Sequence, residues 1–114
     1  MDSASRTLLW YLLVGTRGGP NRVRILEELQ SNPHNANQLA AALGMDYRTV
    51  RHHLTLLERN GLVMRPVGRG YAAPYDLSPD LAVHFGEIQA IRESGSRGRR
   101  AARPAAVVSG RLST

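Results

Sequence analysis

A mainly α-helical fold with a small two-stranded β-wing is predicted by three features of the 114-residue sequence. Two short helical segments, each with its own N-terminal cap and a glycine stop, are joined by a three-residue turn. Two short segments of strand character follow, separated by Gly68-Arg69-Gly70. Leu-rich or apolar-periodic helical segments flank this unit on both sides.

The first helix is predicted from about Ala4 to Val14, a stretch free of breakers until Gly15. Its apolar residues, Leu9, Trp10 and Leu13 among them, cover all faces, so burial on more than one side is expected, the second side against another subunit. Gly18-Gly19-Pro20 interrupts the chain, and Pro20 suits the first turn of a second helix, where a missing N–H costs nothing. Val23, Ile25, Leu26 and Leu29 carry that helix to about Ser31, and Asn32-Pro33-His34 ends it.

Asn35-Ala36-Asn37-Gln38 reads as a capping box, in which Asn35 and Gln38 satisfy each other's free backbone donors. The short helix that follows, QLAAAL, stops at Gly44. Asp46 then caps a helix predicted over Tyr47–Asn60, closed by Gly61. Two capped helices across the turn Gly44-Met45-Asp46 make a helix-turn-helix.

Leu62 to Val67 and Tyr71 to Leu77 are predicted as paired strands, irregular because of Pro66 and Pro74. A two-stranded hairpin needs other elements to lean on, and against helices it forms a wing. Ser78-Pro79-Asp80 begins a last helix, with a cap, a proline in its first turn and an acid at the positive end of its dipole. There Leu81, Phe85, Ile88 and Ile91 form a narrow apolar seam suited to helix pairing. The expected architecture is a winged helix-turn-helix with N- and C-terminal dimerisation helices, in which Leu9, Trp10, Leu13, Leu81, Phe85 and Ile88 make the dimer contacts. Residues 1–93 form the domain, and 94–114, rich in Gly, Ser, Ala, Pro and Arg, a basic disordered tail.

The formal charge is +6, and all fifteen basic residues are arginine, which grips phosphate and guanine edges with two prongs. The charge is uneven: residues 1–96 hold ten Arg against nine acids, and 97–114 hold five Arg and no acid. Cysteine is absent, which removes disulfides, thiolate metal sites and cysteine nucleophiles together. The seven-residue apolar run Leu8–Val14 is far below the roughly 20 residues needed to span a bilayer. The TRGGP after it lacks a small-x-small cleavage pattern, so a cytoplasmic location is expected.

The helix YRTVRHHLTLLERN is where DNA sequence would be read. Helical spacing turns Val50, His53, Leu54 and Leu57 inward and Tyr47, Arg48, Arg51, His52 and Thr55 outward, clustered in the N-terminal half that reaches base edges in a major groove. Arg69, between two glycines at the wing tip 68–71, suits a phosphate or a narrow minor groove, and Arg65 lies at the wing's base. Asp80, His84 and Glu87 fall at i, i+4 and i+7, a spacing that solvated polar residues share with metal ligands, and no metal site is expected. No nucleophile-base-orienter pattern and no glycine-rich phosphate loop occurs, so neither an enzyme nor a cofactor is expected.

The segment NANQLAAALGMDYRTVRHHLTLLERNGLV resembles the helix-turn-helix of ArsR-like winged-helix transcription regulators, and TRGGPNRVRIL ahead of it is similar to their archaeal branch. The resemblance covers about residues 6–78. It implies a symmetric dimer built from the first and last helices that binds a palindromic site in double-stranded DNA, usually to repress transcription. It also implies that Arg48, Thr49, Arg51 and His52 match DNA-contacting positions and Arg69 the wing contact. The sequence departs from the metal-sensing members, whose thiolate motif would fall in QLAAAL. Two other functions fit the composition: non-specific architectural DNA binding driven by the arginine tail, and a winged-helix protein-docking module. Outward Arg48, Arg51 and Arg69 favour DNA, because a docking face more often exposes an apolar or aromatic anchor.

Overall fold

The computed structural model of the chain describes residues 2–66 and 70–101, with side chains at all of them except 71 and 94–101. The Asp2 carboxylate accepts the Ser5 N–H at 2.8 Å and starts α1 (Ser3–Trp10). α1 runs directly into a π-helical turn, Tyr11–Gly15, so helical structure covers the predicted first helix and one residue on either side. A π turn widens the backbone spiral and leaves carbonyls at the helix end in need of outside donors.

α2 (Gly19–Ser31) packs tightly against that end. A Cβ on Gly19 would lie 2.2 Å from the Leu13 carbonyl oxygen, so backbone meets backbone here. Gly18 takes φ +90°, a left-handed conformation that lets the chain reverse between the two helices. α3 (Ala36–Leu43) and α4 (Tyr47–Arg59) form the helix-turn-helix. The capping box of Asn35 and Gln38 closes with two bonds of 2.8 Å. At the turn, Gly44 adopts φ +64°, and Asp46 Oδ2 accepts from the N–H groups of Arg48 and Thr49 at 3.0 and 3.2 Å.

The wing is shorter than the sequence predicts. β1 (Val63–Met64) pairs antiparallel with β2 (Asp76–Leu77), Val63 opposite Leu77 and Met64 opposite Asp76. Pro66 and Pro74 have no N–H to donate and stop the ladder. Gly70–Ala72 forms a 3-10 turn where strand was expected. His34 extends the sheet instead: its N–H donates to the Tyr75 carbonyl at 3.1 Å and its carbonyl accepts from Tyr75 at 2.8 Å. The helix stop Asn32-Pro33-His34 thus also pins the wing to the domain.

The predicted last helix is two helices, α5 (Pro79–Val83) and α6 (Gly86–Ala101), separated at His84 and Phe85. α6 runs past residue 93, through part of the segment read from composition as tail. Gly95 and Gly98 each cost a helix about 1 kcal/mol relative to alanine, a penalty that Arg and Ala around them help to offset.

The break at His84 turns α6 back onto α1 and the π turn, and this corrects the dimer seam inferred from periodicity. Leu81, Phe85 and Ile88 are buried inside their own protomer, together with Leu9 and Leu13. Their apolar surface is used within one chain, so it is not free for a partner. Of the six residues assigned to dimerisation, Trp10 alone is open, at 48% exposure, with Tyr11 beside it at 57%.

Candidate nucleic-acid interface

α4 is amphipathic, and the core fixes its rotation. Val50, Leu54 and Leu57 are fully buried and His53 nearly so, which places Tyr47, Arg48, Thr49, His52 and Thr55 at the surface. Arg51 is half-buried at the edge of that face and has an intramolecular interaction of its own. Tyr47 is 40% exposed, a large aromatic left open at the first residue of the helix. Its neighbour Arg48 is exposed as well, so a cation and an aromatic ring project together from the helix N-terminus. The Asp46 carboxylate already takes the N–H groups of Arg48 and Thr49 at that terminus, so the side chains and not the backbone donors are what it offers a partner.

Arg65 has partners within the chain. Its Nε and Nη2 donate to Glu58 at 3.4 Å each, and its guanidinium lies 4.8 Å from the centre of the Tyr75 ring. It ties α4 to the wing, with its charge offset by Glu58. Arg69 lies outside the described residues.

Behind the exposed face sits a buried polar pair that the sequence reading did not pick out in full. His53 projects inward as predicted, and its Nδ1 has no hydrogen-bond partner among the described groups. Burial pushes its pKa down, and the charges of Arg22 and His52 push it further the same way. Arg22 comes from α2 and is 5% exposed. It was legible in principle: Arg22, Leu26 and Leu29 follow the i, i+4, i+7 spacing of the inward face.

Asp80 and His84 pair with each other at 3.3 Å, while Glu87 pairs with Arg6 at 3.3 Å across to α1. The break between α5 and α6 separates them, and among the described residues no three potential ligands converge on a metal-sized point.

The span from α2 to the end of the first wing strand is the part of the chain that resembles a known family. Residues 19–65 match the model of the bacterial regulatory proteins of the arsR family. The matched segment is an ArsR-like helix-turn-helix. No curated protein sequence matches the chain. Among solved structures, the chain is similar to the homodimeric winged helix-turn-helix DNA-binding domain of a possible ArsR-family transcriptional regulator from Mycobacterium bovis. The TM-score is 0.57 at 25% identity, over 82% of this chain and 87% of that one. A probable transcriptional regulator from Pseudomonas aeruginosa shares the fold with a TM-score of 0.62 at 23% identity, over 86% and 76% of the two chains. A Listeria innocua protein of unknown function does so with 0.58 at 20% identity, over 86% and 70%.

Proposed function

We propose that this chain is a transcription regulator that binds duplex DNA as a homodimer, with the N-terminal half of α4 in the major groove. The observation that carries this reading is the exposed set Tyr47, Arg48, Thr49, His52 and Thr55, held on one face by a fully buried opposite face and a doubly capped turn. Arg48 and Arg51 supply the cations, and Arg is the commonest partner of guanine in that groove. The Mycobacterium bovis domain, similar in fold, is a homodimer that binds DNA, which supports the same assembly here. Two copies would place their α4 helices about one helical turn, roughly 34 Å, apart on a two-fold site. Trp10 and Tyr11 are the exposed aromatic residues of the N-terminal helix and form the contact we assign to the second copy. Arg69 keeps its role as a phosphate or minor-groove contact from the wing. Among the described residues no helix is long and apolar enough to cross a membrane. The proposed DNA target is what supports a cytoplasmic site of action.

Selection of bound sites from a random duplex pool tests the reading. An enriched palindrome, with Arg48→Ala losing about 1–3 kcal/mol on it and little on random duplex, supports sequence-specific regulation. Equal affinity for selected and random duplex at fixed salt would mean non-specific coating. Absence of duplex binding would mean a docking module.

A further inference from the structure

A cleft of about 210 Å³ opens between the end of the N-terminal helical segment, the start of α2 and α6. Leu13, Val14, Pro20 and Val23 make its walls, and Arg24, Glu27 and Arg92 its charged rim. Two guanidiniums thus face one carboxylate. Glu27 is taken by Arg92, whose Nη1 donates to its Oε2. Arg24 has no carboxylate among the described residues. It donates Nη2 to the Leu43 carbonyl at 2.7 Å, on the last residue of α3 and directly before the Gly44 turn that seats α4.

We propose that this cleft is an effector site for a small organic acid, an apolar ring or short alkyl chain bearing one carboxylate. The assignment deepens the regulator reading and rests on it for its consequence, though not for the binding itself. The apolar walls take the hydrocarbon, and the surplus positive charge of the rim takes the anion. The volume lies below the roughly 300–1,000 Å³ of sites for drug-sized ligands, which limits the occupant to a small molecule. A carboxylate between Arg24 and Arg92 competes with Leu43 for the Arg24 guanidinium. A carboxylate adds an opposite charge and can accept two parallel N–H groups of the guanidinium, where the Leu43 carbonyl accepts one, so the acid wins that competition. The α3 carbonyl then loses its side-chain donor at the turn that orients the reading helix. Acid and DNA affinities are therefore coupled, and reciprocally so.

The test is calorimetric titration of the full chain, without DNA, with phenylacetate and hexanoate, using phenylacetamide and hexanamide as uncharged controls. Saturable binding of an acid, one per chain and at least about tenfold tighter than its amide, is expected. Arg24→Gln should abolish the preference for acid over amide. Glu27→Gln should tighten acid binding, because it frees Arg92 from its internal competitor. Arg24 is exposed, so its substitution leaves the core intact, and an unchanged melting temperature verifies that. Acid should also change the affinity for a selected duplex in the unmodified chain and not in Arg24→Gln. No saturable binding of either acid, equal binding of acid and amide, or acid binding unaffected by both substitutions would each overturn the proposal. Duplex binding by the acid-free chain is measured separately. Its absence would sink the regulator reading and leave the cleft as a ligand site, so the two failures are distinguishable.

Discussion

Arg22 Nη1 donates to the Leu12 carbonyl oxygen at 2.6 Å, which places a buried cation from α2 at the open end of the N-terminal helix. The same nitrogen reaches Thr16 Oγ1 at 2.8 Å, and Nη2 reaches the Arg17 carbonyl at 3.3 Å. A helix C-terminus concentrates partial negative charge on its unpaired carbonyls, so a cation is favoured there. Burial lowers the Arg22 pKa, with Tyr11 acting in the opposite direction, but a guanidinium stays charged at any ordinary pH. Arg22 is therefore the side chain that allows the first helix to end inside the domain.

Arg22→Met keeps much of the hydrocarbon and removes every donor, leaving the Leu12 and Arg17 carbonyls without it. Hydrogen bonds to a charged group contribute about 1.5–3 kcal/mol, so a loss of about 3 kcal/mol in folding stability is expected, read as a lower urea midpoint. Arg22→Lys restores the charge without the two-pronged reach and should recover only part of it. A Met variant as stable as the parent would mean that these bonds contribute nothing net.

His53 makes stability depend on pH in a predictable direction. Its pKa in the folded chain lies below the ordinary value of about 6.5 because it is buried and faces Arg22 and His52. As pH falls through 6.5 the unfolded chain takes up a proton that the folded chain refuses. The stability present above 6.5 is lost progressively down to the folded pKa. The limiting slope is one proton, about 1.4 kcal/mol per pH unit. His53→Gln should flatten this part of the profile, as judged by urea unfolding at a series of pH values. An unchanged slope would assign the acid sensitivity to another group.

Arg65 separates a structural role from a DNA contact. Its bonds to Glu58 and its position over Tyr75 predict that Arg65→Ala costs about 1 kcal/mol of stability, because a partly exposed ion pair and a cation–π contact are each modest. Duplex affinity should change little and the salt slope should stay the same. A fall of about one in that slope would return Arg65 to the set of phosphate contacts.

Local signals of the fold were legible in the sequence, and long-range ones were not. The Asn35–Gln38 box, the Gly44 stop and the Asp46 cap depend on residues within four positions of one another, and all three form as the spacing predicts. The rotation of α4 was legible for the same reason, since inward Val50, His53, Leu54 and Leu57 share one period. The pairing of His34 with Tyr75 joins residues 41 apart, and nothing local in Asn32-Pro33-His34 marks a strand edge. The seam Leu81-Phe85-Ile88-Ile91 was read correctly as buried. Periodicity says that a face is covered without saying by which chain, and the break at His84 decides that in favour of α1 in the same protomer.

That last distinction separates two substitutions that the sequence alone would treat alike. Phe85 is 4% exposed within one chain, so Phe85→Asp places a carboxylate in the protomer core. Burying an unpaired charge costs several kcal/mol against a total stability of about 5–15 kcal/mol, and the variant should be unfolded or nearly so, visible as lost helical circular dichroism. Trp10 is half-exposed, and Trp10→Asp takes little from that core. If Trp10 and Tyr11 form the contact between copies, this variant should keep its helical signal and melt close to the parent. Light scattering should then show the mass falling from twice 12.5 kDa to 12.5 kDa, with loss of palindrome binding. A folded, monomeric Phe85→Asp chain would show that the seam faces the partner after all. A dimeric Trp10→Asp chain would move the contact away from the N-terminal helix.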